Sequence, residues 1–228
     1  MVIKFRFIQF LCKNIVPTFK NRPVNIVIVS NEMQKAEILQ QDIQPGVELT
    51  WQEEPVVIDN ATGYIDLLFN RNAGSHPFEK VHSPVLVNAV ETTLSKFPHF
   101  TRFNGWNSFL KNLVWEASGE ELHKKDAEKM VASLGRKIEW VADIPGFISP
   151  RVICMIINEA YHALDENVSS KDEIDTAMKL GTNYPYGPFE WSNKIGLKKV
   201  VDLLHILSNN NKRYTPSSLL IKEASAEQ

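Results

Sequence analysis

The chain has 228 residues, 43% of them hydrophobic and 23% charged, and a formal net charge of −2. That length buries a real core in one large domain or two modest ones. The near-neutral charge gives no electrostatic reason for nucleic acid or an anionic membrane as partner, and no apolar run of about 18 residues offers a membrane span.

In chain order, residues 1–23 form a basic, apolar extension with Lys4, Arg6, Lys13, Lys20 and Arg22 set among Phe5, Phe7, Ile8, Phe10 and Leu11, and no acidic residue. It lacks the unbroken apolar core and small-residue cleavage site of a signal peptide and reads first as a poorly ordered segment, with a transit peptide or a surface-lying amphipathic helix as the alternatives. Residues 24–29 are a continuous β-branched run, the pattern of a strand buried on both faces of a parallel sheet. A helix follows over 33–41 and stops at Pro45 and Gly46, and 47–51 alternate as a second strand. Further strands are expected at 56–58, 64–69 and 84–88, and a helix over 91–96. A helix over 120–134 turns Leu122, Ala127, Met130, Val131 and Leu134 toward a core, with Gly135 at its end, before a last strand at 137–141. Strands and helices in this alternation make residues 24–145 an open α/β sheet with right-handed crossovers.

From 146 to 228 the pattern is all helical. Ile153, Ile156, Ile157, Ala160 and Leu164 share one stripe of a helix over 151–164. Ser170 and Glu173 have the spacing of a capping box for a second helix that ends at Gly181. Helices over 189–195, 198–207 and 216–224 complete the chain. The apolar face of Ile153, Ile157 and Met178 reads as a homodimer contact. Cys12 and Cys154 have no Cys-x-x-Cys partner and read as reduced thiols in a cytoplasmic protein.

Several motifs in the second half occur together. Pro145, Gly146, Phe147 and Ile148 lead into a long apolar helix carrying Asn158, Glu159 and Ala160. Asp172, Glu173, Ile174 and Asp175 precede Ala177, Met178, Leu180 and Gly181. Tyr184, Pro185, Tyr186, Gly187, Pro188 and Phe189 form a turn, and Arg213, Tyr214, Thr215 and Pro216 with Leu219 and Leu220 close the chain. In order and spacing these resemble the hinge and helical dimerisation domain of the 3-hydroxyacyl-CoA dehydrogenase family. The resemblance implies a Rossmann-like domain over 24–145, shortened and degenerate, and a homodimer through the helical part. It further implies NAD-dependent oxidation of 3-hydroxyacyl-CoA to 3-ketoacyl-CoA in fatty-acid metabolism, with an acyl-CoA thioester as ligand.

Hydride transfer needs a pyrophosphate cradle, a base and donors for the developing oxyanion. A glycine-rich turn should follow the first strand. Here that turn is Ser30, Asn31, Glu32, Met33, Gln34 and Lys35, with no glycine and an added negative charge. The resemblance puts the base at a His oriented by a Glu, and ungapped alignment places Phe103 and Trp115 there. Shifted registers bring in His99 and Glu116, and Asn88, at the end of a strand, is a third candidate. Pro150 stands where the family pattern has Asn before Arg151. These gaps open a second reading, a catalytically inactive relative that serves as an acyl-CoA-binding or homodimeric interaction module. His76, His82 and His123 have no ligand-spaced partner, so no metal site is expected; His162 and His205 read as structural or surface groups. Trp106, Trp115, Trp140 and Trp191 read as core packing before they read as an acyl pocket.

Overall fold

The computed structural model describes residues 23–70 and 75–226. The extension expected over 1–23 lies outside the described residues except for Pro23.

Seven strands form one sheet: β1 (Val24–Val29), β2 (Val47–Gln52), β3 (Gly63–Asp66), β4 (Val85–Asn88), β5 (Phe100–Phe103), β6 (Val114–Ser118) and β7 (Lys137–Trp140). Their order is β2-β1-β3-β4-β5-β6-β7. All neighbours pair in parallel except β5 and β6, which run antiparallel with Phe103 opposite Ala117 and Arg102 opposite Ser118. The order reverses between β1 and β3, which makes the carboxyl ends of those strands the switch point of the sheet.

The period of two in β1 splits its side chains between two cores. Ile26 and Ile28 join Ile38, Leu86, Phe103 and Trp115 beneath α1 (Glu32–Ile38) and α2 (Glu121–Ser133). Val27 and Val29 face the other way, into a cluster with Tyr64, Phe78, Phe97 and Phe100. That second face is covered by a 3-10 turn at Pro77–Lys80 and by the irregular connection 89–99, not by an α-helix. At its centre the His76 ring lies 2.9 Å from the Asp66 carboxylate.

The remaining helices are α3 (Ser149–Asp165), α4 (Lys171–Thr182), α5 (Pro188–Ile195), α6 (Leu197–Ser208) and α7 (Ser218–Ala226). The Ser170–Glu173 capping box opens α4 as its spacing predicts, and Asn183, at φ 56°, closes it in the left-handed conformation. At α5 the Asp175 carboxylate accepts from the Phe189 amide at 2.8 Å and the Glu190 amide at 3.1 Å, placing an anion at a helix N-terminus. Gly187 must be glycine for this to happen, because a Cβ there would lie 2.3 Å from the Asp175 carboxyl carbon.

Several sequence expectations are corrected. No strand forms at 56–58, β3 stops at Asp66, and 91–96 is a series of turns. The crossover from β4 to β5 is made by eleven irregular residues, 89–99, a length at which parallel strands normally need a helix. Strands β5 and β6 were not anticipated: Arg102 and Glu116 interrupt the apolar pattern, and both turn out to be spent on the junction with the helices. Leu122 is 81% exposed on α2, and α4 runs one residue past Gly181. Ile153 and Ile157 are buried within the chain's own core, so they are not free to form a dimer face; the outward side of α3 carries Ile148, Val152, Met155 and Ile156 instead.

The junction is tightly built. Gly146 (φ 91°) and Phe147 (φ 46°) are both in the left-handed region, and the Gly146 amide donates to the Val90 carbonyl at 2.8 Å. Val90, Trp106 and Phe109 from the sheet side share one core with Phe147, Ile153, Leu203 and Leu204. Arg102, 1% exposed, donates to the carbonyls of Ala89 (3.0 Å) and Ile144 (2.6 Å) and to Asp143 (2.5 Å), and stacks over the Phe147 ring.

Candidate functional site

A cleft of about 500 Å³ lies between the carboxyl end of β4 and α6. The sheet side contributes Asn88, Glu91 and Thr92, and the helix contributes Asp202, His205 and Ile206. Both sides follow from local sequence. β4 ends at Asn88, and the irregular chain after it turns Glu91 toward α6, whose buried Leu197, Val200, Leu203 and Leu204 leave Asp202 and His205 on the cleft side.

Glu91 is the group the sequence reading missed, having been taken only as the first residue of a helix. Burial pushes its carboxyl above the ordinary 4.5. Its own amide, the Lys199 charge and the Trp106 indole N–H pull the other way, and Asp202 adds to the rise. Trp106 is 1% exposed and fixed in the core. A usable signal existed: a carboxylate three residues beyond a parallel strand's carboxyl end, where open α/β sheets place their ligands. His205 also lines the cleft. Cys154, wholly buried, has its thiol pushed up by burial and by Glu91, which keeps it protonated and inert.

The three sequence candidates do not come together. Asn88 borders the cleft, with its Nδ2 donating to the Leu67 carbonyl at 3.1 Å and its Oδ1 accepting from the Gly105 amide at 3.1 Å. His99 precedes β5 at the opposite end of the parallel strands, in a separate hollow with His82 and His123. Its Nε2 is buried without a partner. Glu116 accepts from the amides of Ile148 (3.0 Å) and Ser149 (2.9 Å) and from the Ser149 hydroxyl (2.5 Å). It therefore caps α3, whose own N-cap residue, Ile148, has no side chain able to do so. Phe103 and Trp115 pack with tilted rings in the sheet core at 4.9 Å between centroids. Among the described residues no group of three His, Cys, Asp or Glu could hold a metal.

The dinucleotide that the resemblance implies does not fit the turn after β1. The Asn31 side chain already accepts from the Gln34 amide at 3.0 Å, and the Gln34 side chain accepts from the Asn31 amide at 3.1 Å. Those amides are the donors a pyrophosphate would need. The Gln34 Nε2 also donates to the Leu67 carbonyl at 3.1 Å, so this side chain, 2% exposed, ties the ends of β1 and β3 together across the switch point. Exposed Glu32 adds a negative charge in the first turn of α1.

Residues 146–227 match the family model described as 3-hydroxyacyl-CoA dehydrogenase, C-terminal domain. The chain is 44% identical over 95 residues to a 3-hydroxyadipyl-CoA dehydrogenase of Escherichia coli, covering 41% of this chain and 20% of that protein. It is 34% identical over 131 residues to a mitochondrial hydroxyacyl-coenzyme A dehydrogenase of Sus scrofa, covering 53% of this chain and 42% of that one. These curated relatives are thus matched over less than half their length. In fold, the chain is similar to Mycobacterium tuberculosis FadB2, with a TM-score of 0.71, 13% identity, and coverage of 90% of this chain and 94% of the other. The sheet followed by a helical domain is therefore the architecture expected from the sequence. No helix among the described residues is long and apolar enough to cross a membrane.

Proposed function

We propose that the chain, whose residues 146–227 match the C-terminal-domain model of the 3-hydroxyacyl-CoA dehydrogenase family, is a member of that family and takes an acyl-CoA thioester in the cleft between β4 and α6. The observation that carries the reading is that cleft, walled on one side by the family's helical domain and on the other by the carboxyl end of a parallel strand. On this reading residues 24–145 and 146–228 are the two working halves of a 3-hydroxyacyl-CoA dehydrogenase-like protein of fatty-acid metabolism. Asn88, with both ends of its amide engaged, shapes the cleft wall, and Glu91 places a carboxyl in it. Homodimerisation is assigned to the outward side of α3, where Val152 is 50% and Ile148 56% exposed.

NAD is the hydride acceptor of the family, and the self-capped start of α1 offers it no cradle, so no hydride step is drawn through that turn. This one feature favours the second reading, an acyl-CoA-binding relative without redox turnover. Calorimetric titration of the purified chain with butyryl-CoA, acetoacetyl-CoA and NADH, followed by an absorbance assay of NADH oxidation, separates the two. Turnover of acetoacetyl-CoA with NADH sinks the non-redox reading. Thioester binding without NADH binding sinks the dehydrogenase activity. Failure of both thioesters to bind sinks the assignment of the cleft.

A further inference from the structure

His99 stands on the wall of a second hollow, of about 320 Å³, at the amino ends of β4 and β5. That is the end of the parallel strands opposite the cleft. Three separate elements bring basic side chains to it. Lys80 and His82 come from the 3-10 turn at Pro77–Lys80 and the bend after it, His99 from the residue before β5, and His123 from the first turn of α2. Among the described residues none of these four side chains has a hydrogen-bond or ion-pair partner. The acids on the same wall are already engaged: Glu79 accepts from the His76 amide at 2.8 Å, and Asp126 pairs with Lys129 at 2.8 Å. The His99 ring is fixed edge-to-face on Phe100, at 4.5 Å between centroids, and its Nε2 is nonetheless buried with nothing to bond. Buried polar atoms in native proteins are almost all satisfied, so an orphan of this kind points to a partner from outside the chain.

We propose that this hollow is a binding site for a phosphate group, held by His99 and His123 together with Lys80 and His82. Donors that converge from three elements suit a tetrahedral anion, which accepts from several directions, better than a planar carboxylate. The charges of Lys80 and Glu79 offset each other, as do those of Lys129 and Asp126, so protons on the three imidazoles decide whether an anion is held. Each imidazole that takes a proton gains a charge and a second N–H donor. The volume is at the small end of ligand pockets, which fits free phosphate or a small phosphate monoester. The site stands apart from the acyl-CoA reading and does not depend on it.

The experiment is calorimetric titration of the full chain with inorganic phosphate and with glycerol 3-phosphate, at about pH 6 and about pH 8 and constant ionic strength. Binding should be about tenfold tighter at the lower pH. Phosphate ligands lose negative charge over the same range, so that tightening has to come from the protein. Binding of either probe supports the site, and the tighter of the two identifies the source of the phosphate. His99→Phe keeps a ring against Phe100 and removes both nitrogens, and Lys80→Met removes a charge at an exposed position. Each should weaken binding about tenfold at the lower pH while leaving the thermal transition in place. If His99→Phe does not fold, Lys80→Met and His123→Gln carry the comparison, the latter with a flattened pH dependence. Absence of binding at the lower pH overturns the proposal, as does binding that survives unchanged in the folded variants or that tightens toward the higher pH. Micromolar Zn²⁺ binding that is lost in His99→Phe would make the hollow a metal site and overturn it as well.

Discussion

Replacing Arg102 by Met tests what joins the sheet to the helices. The substitution keeps most of the apolar volume and removes every donor. Two carbonyls, those of Ala89 and Ile144, lose a charge-assisted bond in a buried setting. Each is worth about 1–3 kcal/mol. The stacking over Phe147 adds about 1 kcal/mol. Against these stands the cost of burying a guanidinium at 1% exposure, which is returned when the charge is removed. The balance is a loss of about 3 kcal/mol, or about 9 °C in Tm for a chain of this size. The ion pair itself contributes little, because the Asp143 side chain is 54% exposed and resolvates freely. Asp143→Asn should therefore cost less than about 1 kcal/mol. Urea denaturation of the two variants, compared at constant m-value, decides between carbonyl anchoring and ion pairing. An Asp143→Asn loss as large as that of Arg102→Met would refute the reasoning.

Three other outcomes follow from caps and close approaches. Glu116→Ala should lower stability by about 1–2 kcal/mol in thermal unfolding, because it strips the N-terminus of α3 of its acceptor; an unchanged Tm would mean that the carboxylate is not a cap. Gly187→Ala should cost about 2 kcal/mol, since its Cβ would meet the Asp175 carboxyl carbon at 2.3 Å and push it off the α5 amides. Glu173 is held down to about 2, from an ordinary 4.5, by the Ser169 and Ser170 hydroxyls and the Ser170 amide. Its folded-state value lies below the unfolded one, so its contribution is present above about pH 4.5 and lost as pH falls toward 2. Glu173→Gln should flatten that part of the acid stability curve.

The sequence makes the helical half legible because its signals are local. Ser170 with Glu173, the apolar stripes and the Gly-Pro turns each state an element boundary without help from distant residues. The strands β1, β2, β4 and β7 are legible for the same reason. What escaped reading depends on contacts far apart in the chain. β5 carries a buried arginine whose acceptors lie at 89, 143 and 144, and β6 carries a glutamate whose donors lie at 148 and 149. Their polarity looks like a break in the strand until those partners are in view. Glu91 escaped for a related reason: the periodicity of 91–96 suits a helix, yet the connection there is irregular. The missing glycines after β1 were plain in the sequence, but the lock that replaces them, Gln34 on the Leu67 carbonyl, spans 33 residues.

The bond from the Gly146 amide to the Val90 carbonyl bears on how this molecule can move. Val90 is the immediate neighbour of Glu91, and Gly146 and Phe147 hold the chain at a fixed angle into α3. The backbone beside the acidic group is thus fastened to the base of the helical part. If that part swings as a jaw, the loop bearing the carboxyl rides with it, and the changing gap opens against the rest of the sheet. The distance between Glu91 and α6 then stays nearly constant.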